Sequence, residues 1–154
     1  MLAPKLELAY RLDMTTIQHE LLINAPVSRV YDAIATADGI STWWDPQTPK
    51  QTDLGLVLEH NPGPEHGIVR LRVVDRVPNK RIEWECISTH PASSPASAWT
   101  GTHFIFELSG HEGATDVDFS QTGYDERSAF FQTNTDAWGQ VLQNLKRVVE
   151  SSQS

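Results

Sequence analysis

Cysteine is nearly absent from this chain: Cys86 stands alone among 154 residues, so no internal disulfide can form and no oxidising compartment is implied. Positive charge is also scarce, with 12 Lys and Arg against 20 Asp and Glu and a formal charge of −8. The basic residues are scattered, which disfavours a nucleic-acid partner. No apolar stretch approaches the roughly 20 residues of a membrane span. The opening segment interleaves apolar residues with Lys5, Glu7, Arg11 and Asp13, unlike the unbroken apolar stretch of a secretion signal. These absences predict a cytoplasmic protein that engages neither nucleic acid nor membrane.

Catalytic signatures are missing as well. There is no Gly-x-Ser-x-Gly elbow, no glycine-rich phosphate loop and no His-Glu-x-x-His, the usual carriers of nucleophilic, phosphoryl and zinc chemistry. The six histidines are His19, His60, His66, His90, His103 and His111. His60 and His66 flank a turn near Glu59 and Glu65, but none follows a recognised ligand spacing. Cys86 and His90 lie too far apart on an extended strand to share one ion. Neither a metal nor another cofactor is expected, and no residue is assigned a catalytic role.

What is present is alternation. Ile17, Leu21 and Ile23 punctuate a half-buried strand over residues 15–24, which Ala25-Pro26 ends. Val27, Val30, Tyr31 and Ile34 then fall on one helical face, with Arg29 and Asp32 outward. Gly39 is read as the break, Ile40, Trp43 and Trp44 as a short second helix, and the segment to Asp53 as loop. Strands are expected over Leu54–His60 and through Val69, Leu71 and Val73, with Arg70 and Arg72 outward. They are expected again at Ile82, Trp84 and Cys86, at Phe104, Phe106 and Leu108, and at Val117 and Phe119. Short turns between them imply antiparallel pairing. Pro91–Ser97 reads as an exposed loop. Trp138, Val141, Leu142, Leu145, Val148 and Val149 form the apolar stripe of a final helix, with a start expected near Ser128. Residues 1–14 are set apart as a lead or extension with Met14 as a second start, residues 15–150 form one domain, and 151–154 a tail.

One sheet with a single apolar face needs a cover, and the last helix is the only element long enough to supply it. The fold class is therefore α+β: a curved antiparallel sheet wrapped around a long C-terminal helix, with two short helices after the first strand. Ile23-Asn24-Ala25-Pro26-Val27-Ser28-Arg29-Val30-Tyr31-Asp32-Ala33-Ile34 resembles the opening of START-like (SRPBCC) proteins. Trp43-Trp44 after Ile40 is similar to the paired tryptophans of the branch related to the activator of the heat-shock chaperone ATPase. Ala137-Trp138-Gly139-Gln140-Val141-Leu142-Gln143-Asn144-Leu145-Lys146 resembles that branch's last helix. The resemblance implies the helix-grip fold. It covers carriers, cyclases and chaperone activators alike, so it does not choose among functions.

A twisted sheet cannot meet a straight helix along its whole length, and the gap is either a cavity or filled by large side chains. Strand parity and helical spacing give its expected lining: Trp44, Leu71, Val73, Trp84, Cys86, Phe104, Phe106, Phe119, Gln121, Tyr124, Trp138 and Leu142. An aromatic wall suits a small hydrophobic or aromatic ligand. Gln121 needs a hydrogen-bond partner if it is buried. Cys86 in an apolar setting is an inert thiol. The favoured function is small-molecule binding without chemistry, as a monomer or homodimer. The alternatives are a cyclase or aromatase-like enzyme and a chaperone-activator-like interaction protein.

Overall fold

Period-two burial builds the sheet. In β1 (Ile17–Ile23) both terminal isoleucines are buried while Gln18, Glu20 and Leu22 face solvent, as expected for a strand with one covered face. The computed structural model describes residues 16–124 and 128–151. The lead expected over residues 1–14 and the last three residues of the expected tail lie outside the described residues.

After β1 come α1 (Val27–Ala35), α2 (Ala37–Ile40), β2 (Thr48–Thr52), β3 (Gly55–His60), β4 (Val69–Val77) and β5 (Arg81–Cys86). A 3-10 turn (Pro95–Ala98), β6 (His103–His111), β7 (Ala114–Thr122) and α3 (Phe131–Ser151) complete the order. The strands form one antiparallel seven-stranded sheet in the order β1-β7-β6-β5-β4-β3-β2. Chain-adjacent strands pair except that β1 returns to close the row beside β7.

The two faces differ in chemistry. Ile82, Trp84 and Cys86 of β5, Phe104, Phe106 and Leu108 of β6, and Val117, Phe119 and Gln121 of β7 are buried on the inner face. The outer face carries charge pairs instead, with Glu59 between Lys50 and Arg70, and Arg72 joined to Glu85 at 2.8 Å. The expected register is therefore correct, including the outward Arg70 and Arg72.

α3 covers the inner face with Asn134, Trp138, Leu142, Leu145 and Val149 buried. It packs against β1, α1 and the 3-10 turn. α1 turns Val30 and Ile34 inward and leaves Arg29 and Asp32 exposed, as its spacing predicts.

Four local expectations are corrected. The segment before Asp53 contains strand β2, whose five residues are all exposed. An edge strand held by its backbone pairing to β3 needs no apolar alternation, so the pattern carried no signal. The stretch Pro91–Ser97 is not simply an exposed loop, because Ser94 accepts from the Ala96 amide, starts the 3-10 turn and buries Ala96. Helix α3 begins at Phe131 and not near Ser128, which lies in the preceding turn. Gly39 does not break α1, which ends at Ala35, but sits inside α2, and α2 ends at Ile40, so the expected Trp43 and Trp44 lie in the turn after it. A Cβ at Gly39 would stand 2.3 Å from the Asp32 carbonyl oxygen, so glycine is required by the close approach of the two helices.

Candidate functional site

Most of the space between sheet and helix is occupied by rings. Trp84 stands 5.2 Å from Phe106 and 6.2 Å from Phe104, centroid to centroid. Trp138 descends from α3 to 4.5 Å from Phe119 and 5.5 Å from Phe104. Leu71, Cys86, Tyr124 and Leu142 are buried in the same cluster, and Val73 packs against it. These tilted and edge-on contacts are the preferred geometries of aromatic pairs and leave little void.

Gln121, fully buried, donates from Nε2 to Thr102 Oγ1 at 2.9 Å, while its Oε1 has no partner. The Tyr124 hydroxyl donates to the Phe130 carbonyl at 3.3 Å and accepts from Asn134, tying the start of α3 to the end of β7. Burial raises the Cys86 thiol above its ordinary pKa, which leaves it in the unreactive protonated form.

At one end the rings part and a pocket of about 220 Å³ opens. It is lined by Trp44, Asp45, His60, Pro62, His66 and Val69, and by Pro95, Ala96, Trp99, Thr133, Asn134 and Ala137. Of the expected lining residues, Trp44 alone borders this pocket; the others pack beneath it or farther along the cleft.

Trp44 is set by its neighbour. The Trp43 indole donates to the Ala33 carbonyl at 2.7 Å, and Asn144 of α3 donates to the Trp43 carbonyl at 2.7 Å. Trp44 is thereby placed 5.0 Å from Trp138, 6.1 Å from Trp99 and 4.6 Å from the His60 ring.

Two serine–histidine links fix the loops around the mouth. His90 Nδ1–H donates to the His66 carbonyl at 2.7 Å, which leaves Nε2 to accept from the Ser88 hydroxyl at 2.8 Å. His66 Nε2–H faces the Glu65 carboxylate at 3.2 Å, so its Nδ1 accepts from Ser94 Oγ at 2.6 Å. The order Ser94–His66–Glu65 is that of a nucleophilic set. Here, however, Ser94 is only 2% exposed and its oxygen caps the 3-10 turn. The arrangement is a brace for the pocket wall.

His60 is one of two buried polar groups of the wall, with Asn134. Gln47 Nε2 donates to the Asp45 carbonyl at 2.7 Å, so its Oε1 must accept from His60 Nδ1–H at 3.2 Å. His60 Nε2 is left with a lone pair, 3.9 Å from Asp45 Oδ2. That distance is beyond hydrogen-bond reach, and the Asp45 carboxylate is 43% exposed. Solvent therefore weakens the attraction that would otherwise charge the ring. Burial, aided by repulsion from His90, lowers the His60 pKa to about 4 and keeps the imidazole neutral. Among the described residues no group of three His, Cys, Asp or Glu converges in a metal-binding arrangement.

Several wall residues went unrecognised in the sequence. Trp99 ends a run of Pro, Ser and Ala residues, where a large ring is costly to leave in water and so signals a docked loop. Asn134 falls on the apolar stripe four residues before Trp138, a polar break that marks the open end of the cleft. His60 and His66 were singled out, but as residues flanking a turn.

The family model of activator of Hsp90 ATPase homolog 1-like proteins matches residues 24–150. The chain belongs to this family. In fold the AHSA1-like chain is similar to the Aha1 dimer from Colwellia psychrerythraea, at 25% identity and TM-score 0.74, over 90% of this chain and 98% of that one. It is also similar to DynU16, a protein in the dynemicin biosynthetic locus, at 16% identity and TM-score 0.68, over 90% of this chain and 48% of that one. CalU16 from Micromonospora echinospora matches at 13% identity and TM-score 0.66, over 87% of this chain and 75% of that one. No curated protein matches the chain. The helix-grip, START-like fold read from the sequence is thus the fold of this family's structures.

Proposed function

We propose that this AHSA1-like domain is a small-molecule binding protein whose ligand is a single apolar or aromatic ring held against Trp44 and Trp99, without chemical transformation. The observation that carries this reading is the pocket itself, an apolar recess of about 220 Å³ at the edge of an otherwise filled aromatic core. A dry cavity of roughly 150 Å³ accommodates benzene, so one ring fits, whereas drug-sized and polycyclic ligands use about 300–1,000 Å³. Neither the serine nor the cysteine near it is an activated nucleophile: Ser94 is sealed as a cap and the Cys86 thiol is held protonated.

Titration with benzene-sized aromatics is expected to change tryptophan fluorescence and raise the melting temperature, since a ligand that binds only the native state stabilises it. Ala137 is an exposed α3 residue on the pocket wall, and Ala137→Trp is expected to abolish both signals while the domain stays folded. A panel that moves neither signal in the unmodified protein overturns the reading and favours an interaction role for the domain. Turnover of a panel compound returns the case to the enzyme alternative.

A further inference from the structure

The surrounding network fixes the hydrogen-bonding roles of His60 and Asn134 at the pocket mouth. The Gln47 amide obliges His60 to carry its proton on Nδ1, so Nε2 can only accept. Asp45 Oδ2 lies 3.9 Å from that nitrogen, and both residues line the pocket. Asn134 spends its amide hydrogens on the Pro95 carbonyl, at 3.1 Å, and on the Tyr124 hydroxyl. Its Oδ1 is therefore a further acceptor on the pocket wall.

Two acceptors that close and with no proton between them repel one another unless a donor enters. A nitrogen placed about 2.8 Å from each satisfies both with two hydrogens. A hydroxyl has one hydrogen and leaves one acceptor unmet. A carboxylate has none and meets Asp45 as a like charge.

We propose that the ligand is a single aromatic ring bearing a primary amine, its nitrogen bridging His60 Nε2 and Asp45 Oδ2 while the ring lies against Trp44 and Trp99. This rests on the binding reading above and names the chemistry of that same pocket. Trp44 stands 4.6 Å from the His60 ring, so an ammonium held at His60 is also near an indole face, where cations are attracted. The formal charge of −8 favours a cationic ligand over an anionic one during approach.

The test is a four-ligand titration of the intact chain at neutral pH with benzylamine, phenol, toluene and benzoate, read by tryptophan fluorescence and by melting temperature. The expected order of affinity is benzylamine, phenol, toluene, benzoate, with benzylamine at least tenfold tighter than toluene. Asp45→Asn, a change at a half-exposed side chain, is expected to reduce the ratio of benzylamine to toluene affinity severalfold. His60→Phe keeps a ring in place, leaves Asp45 as the one acceptor of the pair, and is expected to bring benzylamine and phenol closer together in affinity by severalfold. If toluene binds, Ala137→Trp blocks it, and benzylamine is no better, the amine assignment is overturned while the binding reading stands. Benzoate as the tightest ligand overturns the assignment too. If no member of the series binds, both fall.

Discussion

The two ends of the space between sheet and helix use the same kind of residue and enclose different things. Under the middle of α3, Phe119 faces Trp138 at 4.5 Å and Phe106 at 5.0 Å, and ring fills ring. At the mouth, Trp44 and Trp99 are 6.1 Å apart and their outer sides border a pocket. The difference lies in what each ring is mounted on. The core rings project from paired strands and a long helix, whose spacing lets them interdigitate. Of the mouth rings, Trp44 follows α2 and Trp99 follows the 3-10 turn, where capping and Ser–His links hold the backbone and side chains cannot close the remaining gap. Regular elements close the cleft and braced loops leave it open.

The largest effect that could break this contrast is expected in the core. Trp138 is 2% exposed, and Trp138→Ala should destabilise the domain by about 3–5 kcal/mol in denaturant unfolding, as large-to-small core changes do. Ile34→Ala in α1, with no exposed surface, should cost about 2–5 kcal/mol. A loss below roughly 0.5 kcal/mol at either site, typical of surface changes, would mean that the middle of the cleft is not the packed region described.

The mouth should instead reveal itself through pH. His60 has its pKa lowered to about 4 from 6.5, so the unfolded chain takes up a proton that the folded chain refuses. Stability is then complete above about pH 6.5 and declines as the pH falls toward 4. The span corresponds to about 3 kcal/mol at 1.36 kcal/mol per pKa unit. Glu59 and Glu150 have lowered pKa values, the first held chiefly by its hydrogen bond from Lys50 and the second by the Asn24 amide. Their contributions are lost only below the carboxylate range near pH 4.5, so between pH 6.5 and 5 the comparison with His60→Phe separates this histidine from the carboxylates. Thermal unfolding across that window should show a slope that His60→Phe flattens. An unchanged slope in the variant would show that His60 is not buried neutral at the mouth.

The contrast also explains what could be read from the amino acids alone. The inward placement of Ile82, Trp84, Cys86, Phe104, Phe106, Val117 and Phe119 followed from alternation, because a one-residue slip would have exposed every one of them. The stripe of α3 was legible for the same reason, through Trp138, Leu142, Leu145 and Val149. Whether those rings filled the gap or lined it depended on ångström-scale distances between strands and helix, which no periodicity encodes. The pocket's loop walls carried fainter signals still. Trp99 was visible only as an oversized ring in a small-residue loop, and Asn134 only as a polar break in an apolar stripe. The proton placement at His60 depends on the amide of Gln47, thirteen residues away, and no spacing rule anticipates such a partner.

The smallest effects sharpen the contrast most, because they compare one substitution at two sites. Leu142 and Ala137 lie on the same helix, one 1% exposed and the other exposed at the pocket wall. Leu142→Trp forces extra volume into a filled core and should cost about 1–3 kcal/mol. Ala137→Trp adds its ring where space already exists, so its cost should stay within about 0.7 kcal/mol, the helix-propensity penalty. Measured side by side in urea, Leu142→Trp should cost more than Ala137→Trp by about 0.3–3 kcal/mol. Equal costs would mean that the mouth is as tightly packed as the core. The inference from loop-mounted rings to an open pocket would then fail at its first physical step.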